Sequence, residues 1–292
     1  MGYMRFNYRS QALGRYVDVS IVYPTDNYSY YDQTADYENA SEENRRFIRI
    51  QPVYEEGMKF QTVYLIHGGG DDDTHAMRYL NVERYAQDND VMVVCPNIAN
   101  SFGVDTMYGV KYQTFLAEEL PKLMQTVFAS SPKREDNFIV GYAMGGNVAL
   151  GTALMHPEKY AMCVDMSGGI GLTLDNQTLK DELDGDHFRN VMPLFNATFG
   201  KSEELDGSRF DIYKIAKENK EKGIELPKYI IACGSKEFIR ERVEGDVAKM
   251  RELDYDMEYI VAEGYNHDFE MWDTYFRKTV DEYLPLKRKN KR

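Results

Sequence analysis

The segment Gly141-Tyr142-Ala143-Met144-Gly145 follows an apolar run and precedes a helical pattern. Its spacing is that of Gly-x-Ser-x-Gly, a sharp strand-to-helix turn that presents a nucleophilic serine, here with Ala143 in the serine's place. The flanking positions of such a turn must lack side chains, or strand and helix collide. Gly141 and Gly145 meet that demand, with Gly146 alongside. The helix that follows would aim its first N–H groups at the same point. Taken alone, the pattern also fits a glycine-rich turn with no chemistry.

Two further segments bear on the choice. His67-Gly68-Gly69-Gly70 follows the apolar run Gln61–Ile66. Acyl transfer needs N–H donors for the oxyanion of the tetrahedral intermediate, one from such a loop and one from the residue after the nucleophile. Here those would be Gly69 and Met144. The loop also fits a flexible turn or a phosphate site, although it lacks a P-loop lysine and the Gly-x-Gly-x-x-Gly spacing. The order of the remaining groups is the third piece, because nucleophile, acid and histidine follow one another along such a chain. Glu237 comes after the run Tyr229–Cys233, and His267 after the last run, Met257–Ala262. Of the five histidines only His267 lies there, and His75, His156 and His187 read as surface residues. Glu237 is the expected acid, ahead of Glu263. Asp268 adjoins His267, and side chains of chain neighbours diverge.

The elements that must position these groups are strand-like runs at Tyr16–Tyr23, Gln61–Ile66, Val91–Cys95, Phe138–Val140, Tyr160–Met166, Tyr229–Cys233 and Met257–Ala262. Helical patterns span Met77–Gln87, Tyr112–Phe128, Asn147–Met155, Glu237–Leu253 and Phe269–Leu284. Continuous apolar strands alternating with helices predict an α/β domain, its mostly parallel sheet covered on both faces. One domain over 1–292 is expected. The segment 172–226 is too long for a plain crossover and reads as a lid inserted over the carboxyl edge of the sheet, with polar helical pieces at Gln177–Leu183 and Phe210–Lys222. Asp26–Glu43 reads as a surface loop, and the basic end Lys287–Arg292 as a frayed tail.

Composition narrows the function class. A net charge of −13 argues against nucleic acid or an anionic membrane as partner. No apolar run approaches the roughly 20 residues of a membrane span. Cys95, Cys163 and Cys233 each sit in or at the end of a strand-like run and read as buried reduced thiols. A cytoplasmic protein without metal is the expectation, and the sequence allows a homo-oligomer.

With these residues in hand, the chain resembles the esterase D-like α/β-hydrolases, in particular the small bacterial acetyl and feruloyl esterases of the tributyrin-esterase group. The resemblance runs nearly end to end, through Ser10-Gln11-Ala12-Leu13-Gly14-Arg15, Tyr64-Leu65-Ile66-His67-Gly68, Asn81-Val82-Glu83-Arg84-Tyr85-Ala86, Ala117-Glu118-Glu119-Leu120-Pro121 and His267-Asp268-Phe269. It implies an α/β-hydrolase fold and hydrolysis of short acyl or hydroxycinnamoyl esters, often of carbohydrates, without a cofactor. An S-formylglutathione-hydrolase-like thioesterase is a second implication. Ala143 stands where the family has its serine, and Glu237 where it usually has Asp. The alanine has two readings: a serine deliberately replaced to hold an intact ester, or a natural pseudo-esterase that binds without cleaving. Phe102, Tyr108, Tyr142 and Trp272 are candidates to stack an aryl acyl group or a sugar ring.

Overall fold

The apolar runs assemble into a single eight-stranded sheet in the computed structural model, which describes residues 2–25, 39–45, 56–169, 192–201 and 204–287. The strands are β1 (Gly2–Arg9), β2 (Tyr16–Tyr23), β3 (Thr62–Ile66), β4 (Met92–Pro96), β5 (Asn137–Tyr142), β6 (Met162–Met166), β7 (Lys228–Gly234) and β8 (Met257–Ala262). Their spatial order is β1-β2-β4-β3-β5-β6-β7-β8. β1–β2 and β2–β4 pair antiparallel, and every later pair is parallel.

Strands β3 to β6 are buried along their whole length. That explains their mostly apolar sequence: helices cover both faces, and the polar exceptions Thr62, Asn137 and Asp165 are themselves buried. The faces alternate along each strand. Tyr64 and Ile139 point into one core with Leu120, Ala149, Ala216 and Val247. Val63, Leu65 and Val140 point into the other with Val82, Ala86, Trp272 and Phe276.

Among the described residues, the α-helices of five residues or more are α1 (His75–Tyr79), α2 (Val82–Asn89), α3 (Leu120–Val127), α4 (Met144–Met155), α5 (Met192–Phe199), α6 (Ile212–Glu221), α7 (Arg240–Glu252) and α8 (Phe269–Lys278). Helix α3 continues a helical stretch that opens at Tyr112. The expected helix Met77–Gln87 is two helices. Leu80 turns extended, and the side chain of Asp273 on α8 accepts hydrogen bonds from Asn81 N at 2.8 Å and Tyr85 Oη at 2.8 Å. The break is a tertiary contact, invisible to periodicity.

Strand β1 was not expected. Its outer face is exposed, and only Met4, Phe6 and Tyr8 turn inward at a spacing of two. Arg5 ties it down through paired hydrogen bonds of 2.8 and 2.9 Å to the buried Asp73.

In the 172–226 segment, the piece Gln177–Leu183 lies outside the described residues. Helix α5 was not expected, and it builds a small core from Phe195, Phe199 and Leu205 against Phe102 and Phe210. Helix α6 begins at Asp211, whose carboxylate accepts from the N–H groups of Tyr213 and Lys214. It packs on α4, and Asn219 Nδ2 donates to Leu154 O at 2.7 Å. Most of Asp26–Glu43 and of the basic end lies outside the described residues, but Lys287 is anchored on Asp136 at 2.6 Å. All three cysteines are buried and unpaired. Among the described residues no helix is long and apolar enough to cross a membrane, and no cluster of side chains is placed to hold a metal.

Candidate active site

Strand β5 ends at Tyr142 and α4 begins at Met144, so the chain reverses within one residue. That residue, Ala143, has φ +50° and ψ −127°, a conformation that L side chains rarely adopt. The turn closes through Ala143 N to Met166 O at 2.9 Å and Gly146 N to Ala143 O at 2.9 Å. A Cβ on Gly141 would overlap the carbonyl of Gly145, and one on Gly145 would overlap the carbonyl of Ile66. Glycine at both positions is therefore a steric requirement of this turn.

The 67–70 loop lies against it. A Cβ on Gly68 would stand 3.4 Å from the Cβ of Ala143, and one on Gly69 3.8 Å from that of Met144. Neither the Gly69 nor the Met144 N–H has an acceptor among the described residues. Both are thus available to a ligand oxygen. His67 anchors the loop. Its Nε2 accepts from Ile98 N at 3.0 Å, so Nδ1 carries the proton and donates to Gly68 O at 2.8 Å. Burial holds its pKa below the ordinary value, which suits a neutral structural ring. Gly70 N donates to Asn100 Oδ1 at 2.6 Å, joining the loop to the one after β4.

Glu237 and His267 come together from the ends of β7 and β8. His267 Nδ1 donates to Glu237 Oε2 at 2.8 Å, which leaves Nε2 for a reacting group. The Glu237 side chain is fully buried and the His267 side chain 24% exposed. Burial would raise the Glu237 carboxyl. Hydrogen bonds from His267, Ser167 and the N–H of Gly234 outweigh it and hold the pKa below the ordinary value. A chain of ring contacts links this pair to the turn. Tyr142 stacks on Trp272 at 5.0 Å, and Trp272 meets the His267 ring edge-on at 5.0 Å.

The other acids are committed or remote. Asp268 caps α8, its Oδ1 accepting from Met271 N at 3.1 Å. Glu263 is exposed in the turn after β8. His75 and His156, expected at the surface, are both half-buried. The His75 ring packs with those of Tyr79 and Phe269, which also stack on each other, and His187 lies outside the described residues.

Two of the four aromatic candidates are buried. Tyr142 has no accessible surface, and Trp272 is buried with its Nε1 donating to Ser167 Oγ at 3.1 Å. Tyr108 is exposed on the 101–110 loop, and Phe102 faces a cavity beside α4. Two residues at the site escaped the reading of the sequence. Ser167, buried at φ +62°, donates to Glu237 Oε1 at 2.6 Å. Phe238, 74% exposed, lies 5.2 Å from the His267 ring. Ser167 directly follows β6, so the same search beyond strand ends could have found it.

The arrangement carries the parts of acyl transfer: two free N–H donors beside a strained strand-to-helix turn, and a histidine oriented by a buried carboxylate. At the turn itself, residue 143 carries only a methyl group. Comparison with known proteins agrees with this chemistry. An acetyl esterase of Caldicellulosiruptor saccharolyticus is 26% identical over 258 residues, covering 84% of this chain and 94% of that one. The fluorophosphonate-binding serine hydrolase FphF of Staphylococcus aureus matches with a TM-score of 0.75 at 24% identity over 96% of each chain. A ferulic acid esterase matches with a TM-score of 0.67 at 16% identity over 98% of each. At these identities the two solved structures establish the α/β-hydrolase fold. The Esterase family profile matches residues 39–285, and the chain belongs to that family.

Proposed function

We propose that the chain is a carboxylic-ester hydrolase for short acyl or aryl esters, with carbohydrate alcohols as the leaving groups, in a form that binds its ester without turning it over. One observation carries this reading: everything around residue 143 is kept and only the nucleophilic oxygen is missing. With serine at 143, His267 Nε2 takes the hydroxyl proton, and Glu237 holds the ring in the right tautomer and balances the imidazolium. The oxygen attacks the ester carbonyl, and the N–H groups of Gly69 and Met144 hold the oxyanion. His267 returns the proton to the leaving alcohol, and water then cleaves the acyl-enzyme. With alanine the covalent route is closed, and the binding surfaces remain. The 172–226 segment acts as a lid. Three buried unpaired thiols support a reducing compartment, the cytoplasm.

The test is Ala143→Ser. Hydrolysis of p-nitrophenyl acetate should rise at least about 10³-fold over the chain as it stands. A folded Ala143→Ser protein that stays at background overturns the hydrolase reading and leaves a ligand-binding or interaction protein.

A further inference from the structure

Phe238 is the most exposed large apolar side chain among the described residues, and its ring lies 5.2 Å from that of His267. The other strongly exposed rings, Tyr3, Tyr16, Tyr79 and Tyr108, each carry a hydroxyl for water, whereas Phe238 has no polar atom. Its placement follows from Glu237. That carboxylate turns inward to His267, Ser167 and Gly234 N, so the next side chain turns outward beside it. The backbone fixes it there. Glu237 N donates to Gly234 O at 3.1 Å, Arg240 N donates to Glu237 O at 3.3 Å, and α7 opens two residues further on. A ring held this way loses little freedom when a ligand covers it.

Its position in the sheet selects the half of an ester that it can meet. The carbonyl oxygen must point at the N–H groups of Gly69 and Met144, which follow β3 and β5. The leaving oxygen must sit beside His267 to receive its proton. Phe238 follows β7, which the sheet order sets two strands from β5 and three from β3, roughly 10 and 14 Å at about 4.8 Å per strand. Phe238 therefore belongs to the leaving-group side. The chain around it is polar: Lys236 and Glu241 are exposed, and Ile239 packs toward the core. An alkyl chain gains little on one ring in such hydrated surroundings. A sugar ring with equatorial hydroxyls suits it better, because its C–H face covers the phenyl ring while its hydroxyl rim stays in water.

We propose that Phe238 is the platform of a leaving-group subsite, on which the sugar alcohol of the ester stacks, and that it makes the protein prefer sugar esters to esters of open-chain alcohols. The proposal deepens the esterase reading above and rests on it.

Three esters separate the outcomes: a methyl β-xyloside acetylated at one hydroxyl, the same xyloside butyrylated there, and ethyl acetate. In the Ala143→Ser protein, kcat/KM for the acetylated xyloside relative to ethyl acetate, read from the acid released, should fall by about 3- to 10-fold in Phe238→Ala, the scale of one ring-stacking contact. Phe238→Leu keeps an apolar side chain without a flat face and should lose nearly as much. Phe238→Trp should keep the preference. The butyryl-to-acetyl ratio on the xyloside should hold in all three variants, because those two esters differ only in the acyl half. An unchanged xyloside-to-ethyl ratio in Phe238→Ala overturns the proposal, and a lowered melting temperature beside it would show that the ring packs against the protein itself. A butyryl-to-acetyl ratio that moves with Phe238 places the ring on the acyl side and overturns it as well. Calorimetry of the acetylated xyloside with the unaltered Ala143 chain and with Phe238→Ala repeats the comparison without turnover. If Ala143→Ser is inactive on every ester, the esterase reading falls. Weaker binding by Phe238→Ala would then keep the sugar site without hydrolysis, and equal binding would remove it too.

Discussion

At Glu237 two effects oppose each other. Burial pushes the carboxyl toward its neutral form, and donors from His267, Ser167 and Gly234 N pull it back. The donors win, so the group is a carboxylate wherever a general base must work, and it can balance a protonated His267. The balance depends on Ser167, whose hydroxyl proton has one best acceptor because Trp272 Nε1 occupies the other side of its oxygen. In an Ala143→Ser background, Glu237→Gln should lower kcat by roughly 10³- to 10⁴-fold, the scale seen when such an acid loses its charge. Asp268→Asn should change kcat by far less, because Asp268 serves the α8 terminus and Asn caps a helix nearly as well. Ser167→Ala removes a donor from the ionised form. The acid limb of the kcat/KM–pH profile should move to higher pH, with the plateau reduced less than in Glu237→Gln. An unmoved limb would show that Ser167 only fills space. Glu237 and His267 could be read from their order along the chain. Ser167 could be found by the same search beyond strand ends, but its role as a donor to Glu237 depends on β6 and β7 lying side by side.

The strand-to-helix turn is the element on which the site is built, and its tolerance can be measured. Gly145 and Gly151 belong to the same helix. A methyl on Gly145 meets backbone carbonyl oxygens of β3 and the residue after it, which cannot move without breaking the sheet. Gly145→Ala should lower stability by about 3 kcal/mol or more, as overpacking against backbone does. Gly151→Ala meets only flexible side-chain tips, and gains about 0.5–1 kcal/mol from the better helix propensity of alanine. Urea denaturation of the two variants beside the parent checks both signs. Equal effects would mean that the turn relaxes and that Gly145 is not sterically required. The Gly-x-x-x-Gly spacing disclosed this element, although the strain at Ala143 is visible only in its backbone angles.

Across the whole molecule, two buried groups give stability opposite dependences on pH. Burial lowers His67 from 6.5, so the unfolded chain takes up its proton first. The contribution of His67 is therefore complete above pH 6.5 and is lost as pH falls below it. Burial, with help from the charges of Asp246 and Glu237, raises Asp165 well above 3.8. There the folded state holds the proton longer, so stability is greatest below pH 3.8 and declines as pH rises. Asp165→Asn keeps an acceptor for Gly168 N and cannot ionise. Its melting temperature should exceed that of the parent at pH 7 to 8, and the difference should vanish near pH 4. A difference that does not change with pH would mean that Asp165 is ionised in the folded protein.

Read alone, the sequence determines the architecture from β2 to β8, because continuous apolar runs fit only a sheet covered on both faces. It determines the turn at 143, because glycine spacing records a steric demand local to a few residues. It also determines the missing nucleophile, since no packing can add an oxygen to alanine. Tertiary structure decides the rest. Strand β1 has half its face in solvent, so its pattern is too weak to read, and pairing with β2 makes it. Trp272 and Tyr142 look like ligand-stacking rings in a sequence and are core residues in the fold.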